Sequence, residues 1–410
     1  MLLPTTTYRT TAFVEAARRL GVDLTVASER PSTFESALPD ALLTLAFDDL
    51  QRAVRQVREF GHRYPLDAAI GVDDDTVALA TSINQALGRD TNPLEGVFAA
   101  RDKHLQRTVL ATAGVPVPRF ALHALGEHPD NFVETTPYPC VVKPLRLSAS
   151  RGVIRANDSG ELVAAIQRLG AILESESGTD ECADTGFQYL VEQFVPGYEV
   201  ALEGLMTHGE LNVLAFFDKP DPLDGPFFEE TIYVTPSRHP ASEQAALIDC
   251  AASAATALGL REGPIHAELR FNDQGPWLIE LAARPIGGRC SAVLRFGDGS
   301  VSLEEIVLRH ALGLPLPSLE RERSAAGVMM IPVPGAGVLE DYTGVEDAKR
   351  VPGVDDVVIT AHRGETLVPW PDGSRYPGFI FARGDRPELV ERVLREAHRR
   401  LRFMVRPASS

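Results

Sequence analysis

Two glutamates, Glu268 and Glu280, lie on a predicted β-hairpin that spans Gly263 to Gly288. Alternating apolar residues on both sides of Asp273-Gln274-Gly275 indicate two strands, with those three residues as the loop between them. This register places Glu268 directly opposite Glu280. Like charges in a cross-strand pair destabilise a hairpin unless a cation lies between them, and carboxylates with phosphate oxygens are common ligands of Mg²⁺. The pair therefore indicates a metal site; the alternative is a solvated face neutralised by nearby arginines.

Two lysines upstream have the chemistry to hold phosphate. Lys143 lies between an apolar strand and a proline, and Lys103 lies in the first turn of a predicted helix. A lysine in an apolar strand needs an anionic partner, and its compact ammonium suits a phosphate oxygen. The next loop contains Ser148, Ser150 and Gly152, so its N–H groups and hydroxyls could surround a polyphosphate. Taken singly, Lys103 fits a solvated helix residue and the loop fits an ordinary serine-rich hairpin.

A further candidate region is the segment FQYLVEQFVPGYEVALEGLM, which predicts two strands joined by a linker that begins at Phe194. An extended backbone there can offer one N–H and one C=O to an adenine edge, and the carboxylate of Glu199 can accept hydrogen bonds from ribose hydroxyls. Taken separately, Glu192 and Glu199 fit surface charges on alternating strands. The acidic run that precedes them, Glu174 to Gly186, predicts a surface loop.

The elements that must position these residues follow from periodicity. Strands alternating with helices from Met1 to about Leu94 predict an α/β unit with a parallel sheet, and no Gly-x-Gly-x-x-Gly follows its first strand. Lys103 belongs to one predicted helix that ends just before Gly114. The segment after about Ser324 predicts a small α+β tail that closes with a helix.

Composition excludes several classes of function. The chain has 410 residues and a formal net charge of −17, which argues against a nucleic-acid partner because such binding needs a basic face. It has no signal-peptide pattern and no apolar run long enough for a membrane span, so we expect a cytoplasmic protein with no membrane partner. Cys140, Cys182, Cys250 and Cys290 are widely spaced, which predicts reduced thiols rather than a zinc site or disulfides.

Several of these signals occur in one order along the chain, and the ordered set resembles the ATP-grasp superfamily. The resemblance is greatest to the branch of carboxylate–amine ligases that includes the bacterial L-amino acid ligases. It implies an ATP-grasp fold of mixed α/β and α+β class. The implied domains are an N-terminal parallel α/β domain (1–96), a two-part ATP-grasp core (97–315) with a lid subdomain at about 118–195, and a small C-terminal α+β domain (316–410).

The resemblance also implies a role for each candidate residue. Lys103 and Lys143 would hold the phosphates of ATP. Glu268 and Glu280 would hold Mg²⁺ or Mn²⁺, and Arg284 would be the catalytic residue beside the transferred phosphoryl group and the acyl intermediate. Further ATP-binding residues would be Ser148, Ser150, Gly152, Glu192, Gln193, Phe194, Val195 and Glu199. The substrates would be a small-molecule carboxylate and an amine, contacted by Arg284, Glu230, Gly287 and Gly288.

Two departures from the family pattern stand out. Many relatives have Asn where this chain has Ala282, which leaves the metal shell thinner or completed by water. The loop of Ser148, Ser150 and Gly152, called the phosphate loop below, has Arg151 in place of a run of glycines, which should make it stiffer and more cationic. The resemblance leaves a homodimer open as the assembly.

Three functions remain at this point. The first is ADP-forming ligation of a carboxylate, in particular of an amino acid, to an amine through an acyl phosphate. The second is an ATP-grasp carboxylase or a purine-pathway-like ligase, which shares the nucleotide site but differs in its acceptor pocket. The third is a binding module that retains the nucleotide pocket without catalysis. The intact set of glutamates and arginine favours the first.

Overall fold

The N-terminal part of the chain forms the predicted parallel α/β domain. The computed structural model describes residues 1–5, 10–175 and 187–407, so most of the predicted acidic loop lies outside the described residues. Strands β1 and β2 are parallel, and Leu2 bridges in parallel to both Ala27 and Gly71. The elements are α1 (Thr10–Leu20), β1 (Val26–Ser28), β2 (Leu42–Thr44), α2 (Leu50–Gly61) and α3 (Asp74–Ala86).

The next segment contains two helices where the sequence predicted one, so that prediction was wrong. They are α4 (Leu94–Arg101) and α5 (Lys103–Thr112). Asp102 separates them in an extended conformation, and its carboxylate accepts the N–H groups of His104 and Leu105. A short carboxylate that caps the second helix stabilises the break, because it satisfies donors that no helical carbonyl can reach.

The lid is a four-stranded antiparallel sheet in the order β3-β6-β4-β5, covered by one helix. Its apolar layer packs Leu162, Ile166 and Leu169 of that helix against Val142 and Tyr189 of the sheet. The elements are β3 (Phe120–Ala124), β4 (Cys140–Pro144), β5 (Ile154–Ala156), α6 (Ser159–Ser175) and β6 (Gln188–Gln193).

The core begins with five strands and two helices that pack against them. These are β7 (Tyr198–Thr207), β8 (Glu210–Asp218), β9 (Ile232–Thr235), α7 (Ala241–Ala257), β10 (Gly263–Asn272), β11 (Gly275–Ala282) and α8 (Leu303–Ala311). Small residues of α7 such as Ala251, Ala254 and Ala255 are fully buried and join the apolar cluster under the sheet. Close packing of this kind holds the strands at fixed positions beneath the lid.

The hairpin of β10 and β11 differs from its predicted register near the turn. Asn272 pairs with Gly275, so the turn has two residues, not the three predicted. A β-bulge at Ile279 then restores the predicted pair, and Glu268 lies opposite Glu280. The prediction of this pair is confirmed, but by a shorter turn together with one extra residue on β11.

The C-terminal segment extends the core sheet. The sheet has eight strands in the order β11-β10-β7-β8-β9-β12-β16-β14, and it therefore continues across the predicted boundary at residue 315. A separate three-stranded sheet, β15-β13-β17, lies beside it. The elements are β12 (Ala325–Met330), β13 (Gly337–Thr343), α9 (Val345–Lys349), β14 (Val354–Ile359), β15 (Thr366–Leu367), β16 (Gly378–Gly384), α10 (Pro387–Arg400) and β17 (Arg402–Arg406).

One apolar cluster joins all three predicted domains. It contains Phe13 from the N-terminal domain, Phe217 from the core and Phe381 from the C-terminal segment. Among the described residues, none of the helices has the length and apolarity that crossing a bilayer requires. The mixed ATP-grasp architecture predicted from the sequence is confirmed, whereas the residue boundaries of the domains stay predictions.

Candidate active site

A cleft between the lid sheet and the large sheet brings most of the predicted residues together. Its walls carry both lysines, the linker after β6 and the glutamate pair of the hairpin. The predicted residues that line it are Lys103, Lys143, Ser150, Glu192, Gln193, Phe194, Val195, Glu199, Glu268 and Glu280. Cationic groups on the lid side and α5 thus face carboxylates on the core side, an arrangement that suits a polyphosphate with bound cations.

Lys143 on β4 is held by an ion pair inside the lid. Its Nζ lies 2.7 Å from Oε2 of Glu192 on the neighbouring strand β6, and both side chains are buried. Arg107 of α5 completes the group, with Nε 2.8 Å from the other carboxylate oxygen. Burial alone would raise the pKa of Glu192, but Arg107 and Lys143 bring it below its usual range. The carboxylate is therefore charged and fixes Lys143 toward the cleft.

Lys103 contacts both the loop that precedes Ser148 and Glu280, one of the two glutamates predicted to bind a metal. Only 6% of the residue is exposed, which overturns the solvated reading of this lysine. Its Nζ donates to the carbonyl of Leu147 at 3.0 Å and lies 3.4 Å from Oε1 of Glu280. Because Asp102 starts a new helix at this point, the ammonium projects from a helix N-terminus beside the cleft.

The linker after β6 forms part of the cleft wall at the place where the sequence predicts an adenine pocket. The carbonyl of Val195 accepts from Nη1 of Arg270 at 2.7 Å. Its N–H has no acceptor in the part of the chain that the structure describes, and so remains available to a ligand. The ring of Phe194 lies under two guanidinium groups, those of Arg155 at 4.1 Å and Arg270 at 5.0 Å. Arg270 thus fixes both the backbone and the ring that face the cleft.

Lys219 occupies the centre of a carboxylate cluster on the core side. Its Nζ lies 2.7 Å from Glu199, 2.6 Å from Glu230 and 3.1 Å from Glu268. Burial disfavours the charge of Lys219, yet these three carboxylates raise its pKa well above the ordinary value. Burial raises the pKa of Glu230 to about 7, although Lys219 opposes this shift. One ammonium group therefore contacts the residues predicted to bind ribose (Glu199), the substrate (Glu230) and the metal (Glu268).

The carboxylates of the cleft have the chemistry that a divalent cation needs. Oxygen atoms of Glu199, Glu230 and Glu268 all lie within 4.8 Å of one another. The side chain of Glu280 is 33% exposed and directly opposite Glu268 across the hairpin. Hard cations such as Mg²⁺ and Mn²⁺ bind carboxylate oxygens together with phosphate and water, so these residues fit the predicted metal.

Other predicted residues lie outside the cleft wall. Nε of Arg284 pairs with Asp74 of α3 at 2.8 Å, which turns this arginine toward the N-terminal domain. Glu230 connects to the cleft through Lys219 and also accepts from the hydroxyl of Tyr233 at 2.6 Å. Gly288 packs so closely on Met330 that an added Cβ would lie 2.6 Å from its sulfur. Gly287 shares that loop, and Ser148 and Gly152 belong to the phosphate loop without lining the cleft.

The sequence prediction missed three residues of the site: Lys219, Arg107 and Arg270. Lys219 lies between an apolar strand and a proline in FFDKP, as Lys143 does in CVVKP, so the same criterion would have found it. Arg107 lies four residues after Lys103, a spacing that puts both on one face of a helix. Arg270 was considered only as one of the nearby arginines of the solvated alternative, whereas it is 3% exposed and bound to Glu199.

Comparisons with known families match all three parts of this chain. A model of the ATP-grasp domain matches residues 136–293, and one of the ATP-grasp N-terminal domain matches residues 14–88. A model of the L-amino acid ligase C-terminal domain 2 matches residues 329–406. The fold, the cleft and these matches together define an ATP-grasp protein, and the chain belongs to that superfamily.

Three individual relatives indicate which branch of the superfamily this chain resembles. The crystal structure of L-amino acid ligase from Bacillus licheniformis superposes with a TM-score of 0.78 and 27% identity, over 99% of this chain and 98% of that one. Dapdiamide A synthase of Enterobacter agglomerans is 26% identical over 81% of this chain and 78% of its own length. Carnosine synthase 1 of Gallus gallus is 30% identical over 77% of this chain, which spans 36% of that protein. The predicted resemblance to L-amino acid ligases and the predicted class, an ADP-forming carboxylate–amine ligase, are confirmed.

A solved structure from the rival class is more distant. Carboxyaminoimidazole ribonucleotide synthase from Aspergillus clavatus, determined with ATP, has a TM-score of 0.69 and 18% identity over 95% of this chain and 96% of that one. Identity at this level shows the shared fold alone. The purine-pathway alternative therefore has less support than amide-bond ligation.

Proposed function

We propose that the protein joins the carboxylate of an α-amino acid to an amine and converts ATP to ADP and phosphate. The observation that carries this proposal is the cleft in which Lys103 and Lys143 face the carboxylates of Glu268 and Glu280. A carboxylate has a poor leaving group and does not react with an amine directly. Transfer of the γ-phosphoryl group to the carboxylate oxygen forms an acyl phosphate and releases ADP. The amine nitrogen then attacks the carbonyl carbon, loses a proton, and phosphate leaves.

The residues of the cleft supply position and charge for the first step. Lys143, fixed by Glu192, and Lys103, fixed by the Leu147 carbonyl, would each bind phosphate oxygens. Phosphoryl transfer depends on such positioning and charge neutralisation, and it needs no nucleophilic side chain. A divalent cation held by Glu268 and Glu280 would neutralise the charge that develops on the phosphate oxygens. Val195 would offer its N–H to the adenine edge, and Glu199 would accept from the ribose.

Amino-acid specificity rests on Glu230 in this proposal. A carboxylate beside aromatic rings favours an ammonium group, and Glu230 lies within hydrogen-bond distance of Tyr233. Its oxygen also contacts Lys219, so the amino group of a substrate would share this carboxylate with the lysine. Arg284 would contact the acyl phosphate, which requires its guanidinium to leave or share the carboxylate of Asp74.

The activity itself can be tested by ADP release with ATP, Mg²⁺ and amino acids offered singly and in pairs. We expect ADP formation to depend on an amino acid and to rise when a second amine is present. A product of ligation should appear by mass spectrometry with a mass lower than the sum of both substrates by one water. Release of ADP with bicarbonate in place of any amino acid would support the carboxylase alternative instead.

The substitution Glu230→Gln tests the amino-acid part. We expect ADP formation to collapse for amino acids and to be partly retained for des-amino carboxylates of the same shape, because only the former leave an ammonium group without its counter-charge. Glu229→Gln is the matched control, since Glu229 is the preceding residue and accepts from the backbone N–H of Val333. Equal losses for both substrate types in Glu230→Gln would contradict a role in reading the amino group.

A further inference from the structure

The phosphate loop is bound by a segment of the C-terminal domain, Trp370–Tyr376, which we call the strap. The indole Nε1 of Trp370 donates to the carbonyl of Ala149 at 2.7 Å. The N–H of Gly152 donates to the carbonyl of Pro371 at 2.9 Å, and Nε of Arg151 donates to the carbonyl of Asp372 at 2.8 Å. Three hydrogen bonds thus join a loop that would close over ATP to residues more than two hundred positions later in the chain.

The loop has a conformation that its sequence does not favour. Ala149 and Ser150 are consecutive residues with φ of 55° and 54°. Residues other than glycine avoid this left-handed region, because Cβ comes too close to the following carbonyl oxygen. Ser150 is a predicted ATP-binding residue and lines the cleft, so this backbone conformation would place it beside the nucleotide. The hydrogen bond from Trp370 to the carbonyl of Ala149 acts at the first of these two residues.

The strap is itself well anchored. Trp370 is 4% exposed, and its ring centroid lies 4.7 Å from that of Tyr376. Asp372 forms an ion pair with Arg168 of the lid helix α6, with a separation of 2.6 Å between Nη2 and Oδ2. Tyr376 packs on the central apolar cluster, and burial together with the nearby charges of Glu230 and Glu229 raises its pKa well above the ordinary value. The strap therefore extends from the phosphate loop to the surroundings of the predicted substrate carboxylate.

We propose that Trp370 is a positioning residue for ATP: it acts through Ala149 to hold the phosphate loop in its binding conformation. The proposal rests on the function given above, since it requires that the cleft binds nucleotide. It assigns part of the nucleotide affinity to the C-terminal domain. A loop with glycine at these positions would adopt the same backbone without such support.

The test is a pair of substitutions analysed together. Trp370→Phe retains an aromatic ring and removes the indole donor, and we expect it to raise the KM for ATP and the Kd for ADP by about 2- to 10-fold, the loss of one hydrogen bond. At saturating ATP, kcat should change less. Adding Ala149→Gly to Trp370→Phe should restore most of the affinity, because glycine takes a positive φ without the steric cost. A general loss of folding would not be rescued in this way.

A second pair of variants keeps the test informative if Trp370→Phe is poorly folded. Asp372→Asn removes the charge that pairs with Arg168, and Asp341→Asn removes the charge of an exposed pair with Arg363 in the same domain. We expect only Asp372→Asn to weaken ADP binding. Unchanged ADP affinity in Trp370→Phe, a loss that Ala149→Gly does not relieve, or equal effects of both aspartate variants would each overturn the inference. A parent protein that binds no nucleotide would instead overturn the proposed function.

Discussion

Lys219 is the residue with the largest number of charged partners in the candidate site. Three carboxylates surround its ammonium group, and breaking a buried cluster of this kind leaves uncompensated charge. The same three carboxylates lie within 4.8 Å of one another, which is a suitable arrangement for a divalent cation. The lysine and a bound cation would therefore have overlapping roles as counter-charges.

This overlap predicts an unusual response to Mg²⁺. In Lys219→Met we expect a lower Tm without metal, because the carboxylates repel one another once the ammonium is lost. Added Mg²⁺ should then raise the Tm of the variant more than that of the parent in the absence of ATP. Thermal unfolding across a Mg²⁺ titration measures the difference. Equal shifts in both proteins would contradict the overlap between Lys219 and a cation at these three carboxylates.

Glu280 gives a more direct test of the metal pair. Glu280→Gln preserves the shape of the side chain and removes an anionic oxygen ligand, so we expect ATP turnover to fall by about two orders of magnitude. Circular dichroism and the Tm should remain close to those of the parent, because the side chain is partly exposed. Turnover at the parental rate with every acceptor would exclude this carboxylate from the metal site.

At the scale of single residues, the sequence predicted ten of the residues that line the cleft, because their order along the chain resembles that of the ATP-grasp superfamily. Arg107 and Arg270 were missed because their importance depends on partners that are distant in sequence, whereas Lys219 was missed although the criterion applied to Lys143 also fits it. Glu192 was predicted to bind ATP; it lines the cleft, and its carboxylate is bound to Lys143 and Arg107. Residue type and spacing indicate which chemistry is available, but a buried charge acquires its role from the fold around it.

Helix α5 is the element on which the site depends most strongly. Lys103 lines the cleft, and Arg107 is fully buried between Glu192 on β6 and the carbonyl of Ile279 at the bulge. One guanidinium therefore connects the helix, the lid and the hairpin of β10 and β11. Three elements that come from separate parts of the chain are held in register by this contact.

Removal of that guanidinium should destabilise the protein more than any surface charge would. For Arg107→Met we expect a loss of about 3–5 kcal/mol in the free energy of unfolding, since Glu192 keeps a buried charge with only Lys143 as partner. Arg350→Met is the control, because Arg350 forms an exposed pair with Asp347 and should contribute less than about 1 kcal/mol. Urea unfolding of both variants measures the difference, and similar losses would contradict the role assigned to Arg107.

The predicted elements were correct in kind, and the errors are a break inside one predicted helix and the length of one hairpin turn. Periodicity does not distinguish one long helix from two, and the break at Asp102 depends on a side-chain cap that competes with the helix. The hairpin loop was predicted one residue too long, because a bulge within β11 compensates for the shorter turn and is not visible in the alternation of residues. Both departures occur beside the candidate site, where they direct Lys103 and Glu280 to the cleft.

At the scale of the whole molecule, the continuous sheet contradicts the idea of a detachable C-terminal tail. Strands β12, β16 and β14 complete the eight-stranded sheet, and the central apolar cluster includes Met330, Phe379 and Phe381. The sequence predicted the order of the three segments, because each has its own pattern of strands and helices. It did not predict that the last segment shares a sheet with the second, since pairing between distant strands leaves no local pattern.

Truncation provides the corresponding test. A chain that ends at residue 315 loses β12 as the partner of β9 and exposes the edge of that strand together with apolar residues beneath it. We expect this variant to aggregate or to lose cooperative unfolding, as measured by soluble yield and circular dichroism. A soluble truncated chain that unfolds cooperatively and binds ADP would show that the core is independent of the C-terminal segment.

The bulge at Ile279 also affects how natural variation in this hairpin should be understood. Because of it, Ile279 and Glu280 both face the cleft although they are consecutive, whereas Leu278 and Leu281 on either side are fully buried. Selection for nucleotide binding should therefore act on two adjacent positions, and selection for core packing on the positions that flank them. If side chains on β11 alternated strictly between the two faces of the sheet, Ile279 would be assigned to the face opposite the cleft. Insertions in the turn should be tolerated if Ile279 and Glu280 still face the cleft, because the bulge lies on strand β11 and not in the loop.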